Sequence, residues 1–185
     1  MIPAVAQTLA EILAGETSLI STEQIDFNHP GSQQDAGPGL NLYCYDLRAN
    51  NQVHYTDQQL EGRNSQGKAY ATTVNYSTTW FDVSFLVSAW DYTGLGEQRL
   101  LSEALMLLLR HRFLKEELLA PALRGYGSLP MTVSAFPPTD TAALWRALGV
   151  PLRPALYVTV TIPFNLQGTP PDLELCLQAD LTNLG

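Results

Sequence analysis

Few residues in this chain sit at spacings that chemistry requires. Gly94-Leu95-Gly96 lies between an expected strand and an expected helix, where a dinucleotide phosphate loop would lie. The third glycine of that fingerprint is missing, because position 99 is arginine, so the segment reads as a plain strand-to-helix connection. Gly125-Tyr126-Gly127 follows a helix and precedes a strand, the wrong order for such a loop. His29, His54 and His111 stand in three different elements and give no metal-ligand spacing. His111 falls near a helix C-terminus, where positive charge is favoured. Asp82 and Asp91 lie near the ends of one strand, and a carboxylate pair alone is weak evidence for acid–base work. Cys44 and Cys176 form no C-x-x-C pair and read as free thiols buried as small hydrophobes. Neither a G-x-S-x-G elbow nor a P-loop occurs. No catalytic, cofactor-binding or metal-ligating residue is assigned, and the expectation is a protein that is not an enzyme and uses no cofactor.

Composition narrows the remaining classes. The 185 residues suit one domain, and 45% hydrophobic content supports a real core. Eighteen acidic against ten basic residues leave a net charge of −8, and the only lysines are Lys68 and Lys115. Phosphate affinity depends on clustered Lys and Arg, so a nucleic-acid surface is not expected. The same charge gives no attraction to an anionic membrane. The longest apolar run, Ala104 to Leu109, is too short for a membrane span. The N-terminal segment carries Glu11 and no basic region, so it reads as an amphipathic helix rather than a signal peptide, and the expected location is a reducing cytoplasm.

The elements that would position these residues follow from periodicity. Val5, Leu9, Ile12 and Leu13 share one face of a helix from Pro3 to Ala14. A short strand is expected at Gln24–Phe27, and a second at Leu40–Leu47 with apolar bulk on both faces, hence central. Arg48 to Thr79 is polar and reads either as a hairpin arm, with Val53 and Tyr55 facing Tyr70 to Tyr76, or as a loop. Trp80–Trp90 is the clearest strand, with Phe81, Val83, Phe85, Val87 and Ala89 on one side. A long helix over Glu97–Leu114 carries a wide stripe of Leu100, Leu101, Ala104, Leu105, Leu108 and Leu109. Further strands are expected at Leu129–Phe136 and Ala155–Ile162, with a short helix between them capped by Thr139 or Asp140 and stopped by Gly149. The tail alternates Leu173, Leu175 and Leu177 with polar residues, a half-buried strand. Helices and strands mix without strict βαβ order. The predicted class is α+β, a mixed, largely antiparallel β-sheet flanked by helices, with those helices on one side.

Three stretches together resemble a known family. They are Leu40-Asn41-Leu42-Tyr43-Cys44-Tyr45 after an N-terminal helix, the strand Phe81 to Trp90 followed by Arg99-Leu100-Leu101, and the run from Leu144-Trp145 through Gly149-Val150-Pro151-Leu152-Arg153-Pro154 to Tyr157. Their order and spacing are similar to the tail-terminator, or cap, proteins of phage-tail-like contractile injection systems, over about residues 2 to 164. The resemblance implies a homohexameric ring that closes the baseplate-distal end of the tail. Its partners would be other copies of itself, the inner tube protein and the sheath protein, with no nucleic acid and no direct membrane insertion. The polar segment after Leu47 departs from the family pattern.

Candidate partner contacts are Leu173, Leu175 and Leu177 in the tail and Tyr55 and Tyr70 in the polar arm. Two other classes compete with a structural cap: a small-molecule-binding or hydrolytic α/β domain using Gly94–Gly96, and a tail-assembly adaptor. Native mass by light scattering separates a ring from a ligand-binding monomer. Truncation after Thr169 is expected to leave a folded domain that no longer attaches to sheath. A markedly lower melting temperature would instead assign the tail strand to the domain's own sheet.

Overall fold

The structure is a computed structural model, and it describes residues 1–15, 20–32, 37–50, 59–63, 69–73, 78–134 and 140–165. Its framework is a six-stranded sheet. In chain order the strands are β1 (Ile25–Asp26), β2 (Gly39–Ala49), β5 (Thr78–Trp90), β6 (Phe113–Leu114), β7 (Leu129–Val133) and β8 (Ala155–Asn165). Laterally they run β1-β2-β5-β8-β7-β6. Only β1 and β2 are parallel; every other neighbouring pair is antiparallel. Two further strands, β3 (Gln59–Arg63) and β4 (Ala69–Thr73), pair antiparallel in a separate two-stranded sheet. The fold is α+β, as its mixed periodicities indicate.

The helices divide between the two faces. α1 (Ile2–Gly15) and α2 (Gly94–Arg110) share a core with Val83, Phe85, Val87 and Ala89 of β5. α3 (Thr141–Ala147) covers the opposite face, where Trp145 packs with Leu86 and Tyr157. Helices on one side only was therefore too simple. Leu86 and Tyr157 break the polar pattern of that second face, and a bulky apolar pair there needs a cover. The expected helix over Glu97–Leu114 also shifts. It begins at Gly94, because the Thr93 Oγ1 accepts from the Gly96 amide at 3.0 Å, and it ends at Arg110, with Phe113 and Leu114 forming β6. Leu107 is buried where Leu109 was expected, and Leu109 is 54% exposed.

Backbone constraints explain several boundaries. A side chain at Gly39 would overlap the Gln24 carbonyl, so the parallel approach of β1 to β2 requires glycine there. Asn41, fully buried, fastens the same approach by donating from Nδ2 to the carbonyls of Asn28 at 2.9 Å and Asp26 at 3.3 Å. Asp140 caps α3, its Oδ1 accepting from the Ala142 amide at 2.9 Å, and Gly149 ends the turn after it at φ 65°.

Thr8 joins two distant parts of the chain. Its buried hydroxyl donates to the Ala4 carbonyl at 2.9 Å and accepts from the Ala120 amide at 3.0 Å. The connection after β6 is thereby held on α1. Thr8→Val keeps the shape and removes the acceptor, leaving a buried amide unpaired. A loss of about 1–3 kcal/mol is expected in urea denaturation, with the far-UV spectrum unchanged.

Candidate functional site

The residues singled out for chemistry are occupied with holding the fold. At the start of α2 the Asp91 carboxylate accepts from the Thr93 amide at 3.1 Å, and a side chain at Gly96 would overlap that carboxylate. The helix N-terminus attracts negative charge, and Asp91 supplies it. A phosphate approaching Gly94–Gly96 would meet a like charge already in place. Asp82 has another task. Its Oδ1 accepts from Thr161 Oγ1 at 2.6 Å and Asn50 Nδ2 at 2.9 Å, joining β5 to β8 and to the end of β2. Asp91, just past the end of β5, is nine positions along the chain from Asp82, about 30 Å at ~3.3 Å per residue. They cannot act on one substrate atom.

The histidines are likewise apart. The His29 ring meets Tyr43 edge-on at 5.5 Å between centroids, and its Nδ1 accepts from the Gly31 amide at 3.1 Å. His111 is the C-cap of α2, its amide donating to the Leu108 carbonyl at 3.2 Å. His54 lies outside the described residues. Among the described residues no group of three or more His, Cys, Asp or Glu side chains is arranged to hold a metal ion. Cys44 is a free, half-buried thiol in β2, and burial raises its pKa, which disfavours the reactive thiolate. Cys176 lies outside the described residues.

At the two ends of the stretch from Leu144 to Tyr157, Trp145 and Tyr157 fold inward, while Leu152 between them is exposed. Trp145 is 1% exposed against Leu86 and Tyr157, and Tyr157 meets Tyr45 edge-on. Arg153 lies flat on the next element: its guanidinium carbon sits 3.6 Å from the centroid of the Trp90 ring. The same group donates to the Ala89 carbonyl at 3.4 Å and lies 3.9 Å from Glu97 of α2. Trp90, Arg153 and Glu97 therefore tie the end of β5, the strand-entry loop and the first turn of α2 into one corner.

What faces outward is different in kind. A cleft of about 380 Å³ opens between the C-terminal end of α1 and the connection after β6, with Ile12, Leu118 and Pro121 in its lining and Glu11, Glu117 and Arg124 around them. Met106 and Leu109 on α2 and Phe113 on β6 are all more than half exposed. Of the expected partner contacts, Tyr70 stands in β4 opposite Gly62 of β3. The described strand that pairs with it is Gln59–Arg63, while Val53 and Tyr55, expected to face it, lie outside the described residues. Tyr55, Leu173, Leu175 and Leu177 lie outside the described residues. No helix among the described residues is long and apolar enough to cross a membrane.

The family model for the Pvc16 N-terminal domain matches residues 4–175. The chain belongs to that family. No curated protein matches the sequence. The Pvc16 N-terminal domain fold seen here is similar to the PVC sheath/tube terminator of an extracellular contractile injection system, in its extended state. The TM-score is 0.61 at 18% identity, covering 93% of this chain and 58% of that one. It is also similar to the anti-feeding prophage cap, a tube-terminating cap, with a TM-score of 0.53 at 18% identity, covering 91% of this chain and 55% of that one. The chain thus spans little more than half the length of either structure. In this chain Leu144 and Trp145 pack against the second face of the sheet, and Arg153 packs on Trp90.

Arg153→Met keeps the apolar stem over Trp90 and removes the cation. The expected loss is about 1 kcal/mol of stability with the fold retained, measured by thermal and urea denaturation.

Proposed function

We propose that this protein is a non-catalytic cap subunit that terminates the baseplate-distal end of a contractile injection system tail. The observation that carries the reading is the family match over nearly the whole chain, supported by the likeness to a sheath/tube terminator and a tube-terminating cap. In this reading copies form a homohexameric ring that closes the inner tube and ties it to the last sheath layer. Tube protein, sheath protein and further copies of the chain are its partners. It assembles in the cytoplasm as part of the particle.

The chemistry of the site supports the same reading. Asp82, Asp91, Arg153 and Trp145, the residues most suggestive of a site, are engaged in hydrogen bonds, caps and packing. Function is then left to surfaces. The β3–β4 hairpin and the tail leucines Leu173, Leu175 and Leu177 are the contacts we assign to tube or sheath, with one cap domain carrying both. A strand from the tail would gain main-chain hydrogen bonds by adding to a sheet edge on a partner.

Particles assembled without this chain are expected to show tubes of uneven length with no closed distal end in electron micrographs, restored by the intact protein. Normal tube lengths and closed ends in its absence would overturn the reading. Deleting Gln52 to Tyr76 should leave the melting temperature within about 2 °C of the parent, a shift of well under 1 kcal/mol, while restoring capping poorly. Loss of folding on that deletion would place the arm in the core.

A further inference from the structure

We propose that residues 172–180 of the tail add to the open outer edge of β2 in the same chain, antiparallel to it, as a seventh strand of the main sheet. Leu173, Leu175 and Leu177 then stand on the face that carries Leu47. β1 covers only Leu40 and Asn41 of β2, and no other described strand pairs with that edge. Burial falls away along β2 where β1 stops: residues 39–42 are buried, 43–46 half-buried and 47–49 exposed. The open part, residues 43–49, has the length of an ordinary strand, and an unpaired edge of that length invites one.

The apolar pattern of the edge decides which face such a strand must cover. Leu47 pairs with Val83, which is fully buried in the core under α1 and α2, so Leu47 lies on the core's side of the sheet. It is nevertheless 45% exposed, at the open margin of that core, and Cys44 on the same side is only half-buried. A strand apolar on one face and polar on the other completes this margin. Residues 172–180 alternate in that way, with Leu173, Leu175 and Leu177 against Glu174, Cys176 and Gln178.

Connectivity selects this edge. β2 and β8 both run antiparallel to β5, so both finish at the same end of the sheet: Ala49 pairs with Phe81 and Asn165 with Thr78. From Asn165 the chain must cross β5 and β2, three strand spacings or about 14 Å at ~4.8 Å each. Residues 166–171 reach about 20 Å at ~3.3 Å per residue. Pro170 and Pro171, which cannot donate to a ladder, fall just where the chain must turn into the strand. A strand begun at that end runs back against β2, antiparallel to it. The other edges are poorer. β6 is two residues long. β7 pairs with β8 as far as Val160 and leaves residues 161–165, of which Pro163 has no amide to donate. The seating does not depend on the cap role. A strand has two hydrogen-bonding edges, so one on β2 leaves the other for tube or sheath.

The test uses the full chain with Cys44→Ala and Cys176→Ala, adding Leu47→Cys together with Leu173→Cys, Leu175→Cys or Leu177→Cys. Residues on one face of adjacent strands lie about 5–8 Å apart, so a short bis-maleimide should link at least one of these pairs, at monomer mass. Leu47→Cys with Glu174→Cys, on opposite faces, should link at least about tenfold more slowly. Removing residues 170–185 should lower the melting temperature by at least about 4 °C and deprotect amides of residues 43–49 in hydrogen exchange, the outcome that assigns the strand to the domain's own sheet. Links that form only between copies assign the strand to a neighbour's edge and overturn the same-chain seating. No link from any pair, with an unchanged melting curve on truncation, overturns the seating altogether. Both failures leave the cap reading standing, because that reading is lost only if tubes assembled without this chain end normally.

Discussion

β5 lacks a solvent face, and that constraint organises the molecule. It lies between β2 and β8 along nearly its whole length, so its backbone is paired on both edges. Val83, Phe85, Val87 and Ala89 are buried on one side and Leu86 on the other. A strand apolar on both sides must be covered on both sides, at about 25 cal/mol per Å² of apolar area removed from water. α1 and α2 cover the first face and α3 the second. Two of the polar residues that β5 carries are paired within the sheet. Asp82 is held by Thr161 and Asn50, and the Ser84 hydroxyl lies 3.1 Å from that of Thr159. Left alone in that position, each would carry the penalty of a buried unpaired polar group.

The corner at Trp90 shows how the same residues serve identity and architecture. Arg153 lies on the Trp90 ring, reaches the Ala89 carbonyl and approaches Glu97. The chain enters β8 from this corner, and α2 leaves it. The corner therefore sets the register at which β8 lies against β5, and with it the position of Tyr157 under Trp145. The corner acts through contacts within the chain, and those contacts fix the fold.

The outward side of α2 differs in kind from its packed side. α2 packs against the sheet and α1 through one stripe, while its other side carries Met106 and Leu109 beside Arg110. Burial of that second stripe adds nothing to the isolated domain.

Periodicities of 2 and 3.6 along the chain are enough to place α1, β2, β5, β7, α3 and β8 and to give the α+β class. These signals are local: alternation along Trp80–Trp90, the cap at Asp140 and the stop at Gly149 need no distant partner to be read. The core positions Val5, Leu9, Val83 and Phe85 and the inward role of Trp145 were legible for the same reason. Only tertiary structure decided which face each helix covers, the lateral order of the strands, and the early end of α2 at Arg110, where Phe113 and Leu114 turn to pair with β7. It also decided that Asp91 fills the anion position before Gly94–Gly96 and that Thr8 meets Ala120, 112 residues away. Those outcomes depend on long-range contacts whose free energy is shared among many residues, and no local pattern in the chain encodes them one at a time.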